Sequence, residues 1–239
     1  DEKHLTRGRA NTLRLALSGQ IEGLAGEDAL SSEAVREAMD LCVGCKGCKR
    51  DCPTGVDMAK MKVEFLQHYK AQHGHTLQDK MVAHLPEYAR WAARLAPVLN
   101  LRNRMPLLAA LIEKLLGLSA KRSLPEWQMR HFFNTPPSAA QATASREEVL
   151  AAARGVVLFV DTFNGYFESA NAHAAVKVLQ AAGYTVHVAT QLKDDGQHLC
   201  CGRTYLATGM VERAREKASE VVQSLLPFAE RGLAIVGLE

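Results

Sequence analysis

Four cysteines fall within eleven residues, Cys42-Val-Gly-Cys45-Lys-Gly-Cys48-Lys-Arg-Asp-Cys52-Pro53, and this run constrains the fold more than any other part of the chain. Three thiolates spaced two residues apart can wrap one corner of a cubane, each binding a different iron. Gly44 and Gly47 would let the backbone approach the inorganic sulfides, and a proline after the last cysteine turns the chain away. The spacing therefore predicts an iron–sulfur loop, and electron transfer as its first use.

The fourth ligand is open at this level. In two-cluster ferredoxins the last cysteine of such a run serves the other cluster, and this chain has a single run. Either Cys52 closes a [4Fe–4S] cluster with Cys42, Cys45 and Cys48, or the closing ligand is Cys200, Cys201 or a cysteine elsewhere. Zinc is the first rival, although structural zinc ligands usually come as two cysteine pairs separated by a longer spacer. Four free or disulfide-bonded cysteines form the bland alternative, but disulfide scaffolds belong to small secreted chains.

The balance of charge excludes one class of partner. Lys and Arg exceed Asp and Glu by only three in 239 residues, the basic side chains are spread along the chain, and no nucleic-acid footprint stands out. A 47% hydrophobic content is enough for one or two buried cores. The most apolar stretch, Leu107 to Leu118, is interrupted by Glu113 and Lys114 and is too short to span a bilayer. The expectation is a cytoplasmic protein that is not transmembrane and touches a membrane, if at all, peripherally through a partner. Asp1 is not an initiator methionine, and Leu233 to Glu239 resembles a buried strand that stops early, so the chain reads as a piece of something longer.

Residues 1–118 read as an all-α domain. Leu13, Leu17 and Ile21 recur at helical spacing, and a short helix with Val35, Ala38 and Met39, begun by Ser31 or Ser32, leads into Cys42. Asp57 is the expected N-cap of a helix carrying Met61, Phe65 and Tyr69 to Gly74. Thr76 caps another, Pro86 and Pro106 mark first turns, Pro97 breaks between them, and Gly117 ends the last. Residues 119–154 read as a linker with a short helix from Ser145. From 155 to 239 the pattern changes to Val156-Val-Leu-Phe-Val160, a helix from about Ser169 to Ala182, the run Thr185-Val-His-Val-Ala189, a long helix from Thr204 to about Glu230, and a last strand from Leu233. Strand, helix, strand predicts a parallel βαβ unit, hence a partial parallel α/β domain.

Leu199-Cys200-Cys201-Gly202-Arg203 lies before that long helix, at the carboxyl edge of the expected sheet, where α/β folds bind ligands. A helix N-terminus and Arg203 should lower the thiol pKa there. Adjacent cysteines also occur as small buried hydrophobes, and both readings stand. Asp161-Thr-Phe-Asn-Gly-Tyr166 should share the edge, with Asn164 and Tyr166 facing a ligand or a neighbouring subunit, or else forming a turn. His68, His73 and His75 read as exposed side chains, since no carboxylate completes a metal set.

Taken together, Thr6-Arg-Gly-Arg-Ala-Asn, the cysteine run continued through Pro-Thr-Gly-Val-Asp-Met-Ala-Lys, Asp161-Thr-Phe-Asn and Cys200-Cys-Gly-Arg resemble the carboxyl-terminal iron–sulfur part of FAD-linked D-2-hydroxyacid dehydrogenases. The resemblance covers nearly the whole chain. It implies a ferredoxin-like helical domain followed by a Cys-Cys-Gly domain, and a flavin domain, upstream in the same polypeptide or in a separate subunit, that oxidises a substrate such as D-lactate, D-2-hydroxyglutarate or glycolate. This chain would carry electrons from FAD to an acceptor through a [4Fe–4S] cluster and would turn over no substrate alone. Cys200 and Cys201 would be a docking, metal or redox site near the electron exit. The chain is similar, too, to iron–sulfur subunits of glycolate oxidase and of heterodisulfide-reductase-type complexes; a zinc-stabilised, non-enzymatic interaction module is the alternative from another class.

Overall fold

A computed structural model describes residues 2–21, 27–135, 143–189 and 198–238. After a single 3₁₀ turn at Glu2–His4, the helices are α1 (Thr6–Leu17), α2 (Glu27–Leu30), α3 (Glu33–Asp40), α4 (Gly47–Asp51), α5 (Met58–His73), α6 (Leu77–Ala83), α7 (Leu85–Arg94), α8 (Ala96–Leu99), α9 (Leu101–Arg104), α10 (Pro106–Leu116) and α11 (Arg146–Ala151). Then follow β1 (Gly155–Phe159), α12 (Thr162–Tyr166), α13 (Ser169–Ala181), β2 (Thr185–Val188), α14 (Arg203–Ala207), α15 (Val211–Glu230) and β3 (Ala234–Gly237). Among the described residues no helix is long and apolar enough to cross a membrane.

The contacts divide the chain into two units, Asp1–Ala83 with Thr204–Arg213, and His84–Arg203 with Ala214–Glu239. The boundaries read from the sequence fall instead at 118 and 155.

In the first unit, Leu13 and Ala16 of α1, Ala29 of α2, Val35, Ala38 and Met39 of α3, and Met58 and Phe65 of α5 form one buried cluster, with Ile21, Cys42 and Cys48 packed against it. Helix α1 stops at Leu17, which is exposed, so Ile21 reaches this core from beyond the helix. Asp57 caps α5 as expected, its carboxylate accepting the Lys60 N–H at 3.0 Å. Thr76 and Asp79 cap α6 reciprocally, each side chain accepting the other's backbone N–H, which satisfies two donors that helix geometry leaves open. The single long helix expected from Thr204 is two helices. Gly209, at φ +81°, separates them where a Cβ would stand 2.9 Å from the Leu66 carbonyl oxygen, so the break admits only a residue without one.

In the second unit the three strands are parallel in the order β2-β1-β3, with Val156 opposite both Val186 and Ala234. Alternate residues of β1 feed opposite faces. Val156 and Leu158 pack with Ala172 and Val176 of α13, while Val157 packs with Val149 of α11 and Phe228 of α15. Both faces of β1 are therefore covered and β2 is buried at its centre, which is why these two strands read as continuous apolar runs. By contrast β3, expected to be a buried strand, is largely exposed, because it lies at the edge of the sheet with only β1 beside it. Ser145 caps α11 with a full capping box through Glu148.

Residues 119–135, read as linker, are held in place without secondary structure. Arg102, buried on α9, donates to the carbonyls of Ser119 (2.6 Å) and Arg122 (2.7 Å), and Asn100 exchanges two 2.9 Å hydrogen bonds with the Trp127 backbone. Side chains thus satisfy backbone groups that a helix or sheet would otherwise pair. Residues 136–142, the rest of the proline-containing stretch, lie outside the described residues apart from its two ends.

Candidate functional site: the cysteine loop and the paired thiols

The cysteine loop begins where α3 ends, with Cys42 N–H bonded to the Met39 carbonyl at 3.0 Å. The backbone then takes two left-handed turns, at Gly44 (φ +67°) and Lys46 (φ +59°), on either side of Cys45. Lysine in that region is uncommon and costs energy. Lys46 also starts α4, its carbonyl accepting from the N–H groups of Lys49 and Arg50. Cys42 and Cys48 are half-buried against the helical core, Cys52 is half-buried, and Cys45 is exposed.

The sulfurs have different environments. Cys45 Sγ lies over Gly47, where an added Cβ would stand 3.6 Å from it. Cys52 Sγ is 3.1 Å from Thr54 Oγ1, and its thiol is held below the ordinary value, first by that hydroxyl and then by backbone N–H groups of Val56, Thr54 and Gly55. Hydrogen bonds of this kind favour thiolate, the form that binds metal. None of the six cysteines is in a disulfide. Free thiols, left-handed turns and amides aimed at sulfur fit an iron–sulfur cluster in donor chemistry and backbone, while among the described residues no three His, Cys, Asp or Glu side chains stand grouped as a metal cage.

Of the cations near this loop, Lys49 stands 3.6 Å from Asp57, and Arg50 3.5 Å from Asp51 with both side chains exposed. Their charge is thus shared with carboxylates or with solvent. A residue that sequence reasoning passed over is better placed. Lys62 of α5 donates to the Cys42 carbonyl at 2.5 Å and approaches the Asp40 carbonyl at 3.4 Å. Its removal from water lowers its pKa, and Cys42 acts in the opposite sense. The only signal in the sequence is its place in the second turn of a helix whose N-cap, Asp57, comes soon after the last cysteine.

Cys200 and Cys201 precede α14 as expected, the first buried and the second exposed. The expected fall in thiol pKa is corrected for Cys200, which is pushed up: the hydrogen bond with the Cys201 thiol is the largest cause, burial adds to it, and the Gly202 N–H and Lys217 only partly oppose them. Helix α14 has five residues, too short to build the dipole that the expectation required. The turn after β1 is also structural. Asp161 caps α12, accepting from the N–H groups of Phe163 (2.7 Å) and Asn164 (3.1 Å), and Asn164 and Tyr166 are buried instead of facing a ligand.

Tyr166 belongs to a cluster that the sequence did not announce. Its ring lies 4.5 Å from His131 and 5.3 Å from Phe133, and His198 stacks on Phe133 at 3.5 Å. Burial pushes Tyr166 up to about 12 and His198 down to about 4, helped by the charges of His131 and Arg90. His131 was hidden in the segment read as linker. His68 and His73 are exposed and His75 is half-buried.

No family model matches the chain, and no solved structure matches it. It is similar to the D-2-hydroxyglutarate dehydrogenase of Escherichia coli K12, 27% identical over 217 residues that make 87% of this chain and 20% of that protein. The D-2-hydroxyglutarate dehydrogenases of Pantoea ananatis (25% over 212 residues, 87% of this chain and 20% of that protein) and Haemophilus influenzae (23% over 225 residues, 93% and 21%) are similar as well. The chain spans about one fifth of the length of these curated relatives, so it is similar to one part of a dehydrogenase.

Proposed function

We propose that this chain is the iron–sulfur electron-transfer portion of a flavin-dependent 2-hydroxyacid oxidoreductase. The observation that carries the reading is the loop 42–52, with four free cysteines, two of them seated on a helical core, and a backbone turned left-handed around Cys45. Cys42, Cys45 and Cys48 would hold a [4Fe–4S] cluster, and Cys52, whose thiol is already biased toward thiolate, would be the local fourth ligand. When bound, such a cluster accepts and releases single electrons and performs no bond chemistry. The chain's own task is to exclude water from one side through Met39, Met58 and Phe65, and to direct backbone N–H groups at sulfur.

The similarity to D-2-hydroxyglutarate dehydrogenases supports a D-2-hydroxyacid as the electron source, oxidised in a flavin domain of the same polypeptide or of a partner subunit, with a separate acceptor downstream. Cys200 and Cys201 would be a docking, metal or redox site of the second unit.

Anaerobic reconstitution with iron and sulfide tests the reading. The expected product carries about four iron and four acid-labile sulfide per chain and absorbs broadly near roughly 400 nm. Cys45→Ser, which alters an exposed side chain, should abolish loading and leave the helical signal unchanged. One zinc per chain without sulfide would refute the proposal and favour a zinc-stabilised interaction module.

A further inference from the structure

The last carbonyls of α3 are held by two cations from other helices. Arg9 of α1 donates through Nε to the Ala38 carbonyl at 3.0 Å, and Lys62 of α5 approaches the Asp40 carbonyl at 3.4 Å. Both contacts are what a helix C-terminus attracts, since its carbonyls lack partners and its dipole is negative. Lys62 goes further. Its shorter bond, 2.5 Å, is to the carbonyl of Cys42, two residues past the helix and on the first cysteine of the loop. Neighbouring charges are engaged with one another: Arg36 with Glu33 and Asp40, and Lys70 with Asp79. Among the described residues no carboxylate lies within ion-pair distance of Lys62: its ammonium bonds to backbone carbonyls, half out of water, and the Asp40 carboxylate, itself paired with Arg36, acts on it only through space and against Arg9.

We propose that Lys62 is a positioning residue for the cysteine loop, fixing the Cys42 backbone from behind and placing an unpaired positive charge beside the site where the electron arrives. The inference rests on the cluster reading of that loop. Reduction adds a negative charge to a centre that its thiolates already make anionic, and a fixed cation a few ångströms beyond Cys42 favours the reduced form. The paired Lys49 and the solvent-exposed Arg50 cannot do this as well, because a carboxylate or bulk water screens each of them.

The test uses the whole chain, reconstituted anaerobically, as wild type, Lys62→Arg and Lys62→Gln. Reduction is followed by EPR during a redox titration, and iron and sulfide are measured on each sample. Lys62→Gln should make reduction about tenfold less favourable, equivalent to about 59 mV for one electron. Lys62→Arg, which keeps charge and reach, should stay within about twofold of wild type. Amide hydrogen exchange across residues 40–46 should quicken in Lys62→Gln and be restored by Lys62→Arg. If wild type loads its cluster and Lys62→Gln has the same potential, Lys62 is an ordinary helix cap and this proposal falls alone, whatever the exchange shows. If wild type takes up neither iron nor sulfide, the reading of the loop falls and takes this one with it. Should Lys62→Gln fail to load, full loading of Lys62→Arg supports the proposal, and failure of both with loss of helical signal overturns it.

Discussion

Acid should loosen the second unit through His198. The imidazole stacks on Phe133 with ring planes 9° apart, and burial, with His131 and Arg90 nearby, brings its pKa from 6.5 down to about 4. A histidine whose folded pKa lies below its unfolded value binds protons more readily when unfolded. Its contribution is therefore fully present above about pH 6.5 and disappears as the pH falls toward 4. At about 1.4 kcal/mol per pH unit, the interval corresponds to roughly 3 kcal/mol, and screening by the solvent that reaches this half-buried ring reduces it to about 2 kcal/mol. The assay is urea unfolding of wild type and His198→Phe at pH 7.0 and 4.5, with the ring stack preserved in the variant. Wild type should lose about 2 kcal/mol more than His198→Phe between the two conditions. Parallel losses in the two proteins would show that this ring is not held neutral by the cluster, and the argument from burial would be wrong.

Gly209→Ala should cost about 3 kcal/mol, combining roughly 1–2 kcal/mol for a side chain at positive φ with the 2.9 Å approach to the Leu66 carbonyl. Gly19→Ala, at φ +67° with nothing within 4 Å, should lose only about 1–2 kcal/mol, so equal losses in denaturant titrations would dismiss the close approach. Asp161→Ala removes the acceptor for two backbone N–H groups and for Asn164 Nδ2 at 2.5 Å; chemical unfolding should show a loss of about 2–3 kcal/mol, with Asp161→Asn losing less. Iodoacetamide near neutral pH should label Cys201 well before Cys200, since only Cys201 is exposed and the Cys200 thiol is pushed up. Peptide mapping that finds equal rates in the folded chain would contradict that assignment.

Local chemistry was legible wherever the causes are near in sequence. The Asp57 and Ser145 caps, the Thr76 box, the first-turn prolines and the parallel β1-β2 pair all rest on contacts within a few residues or on an apolar run of strand length, and each appears where its residues place it. The long helix from Thr204 failed because nothing at Gly209 itself says that Leu66 is close. The same holds for 119–135, whose polar and aromatic residues look like linker until Asn100 and Arg102 are brought beside them.

The candidate site divides along the same line. The spacing of Cys42, Cys45, Cys48 and Cys52 by itself put four thiols in one loop and suggested the cofactor chemistry proposed for them, because ligand spacing is a property of adjacent residues. Only the tertiary structure decided that Lys62 reaches the Cys42 carbonyl, that Cys200 is a buried thiol pushed up by Cys201 and burial, and that Tyr166 and His131 are core. Burial and the approach of distant charges arise when separate helices pack, and a pKa or a hydrogen bond across twenty residues has no local signature for a sequence to carry.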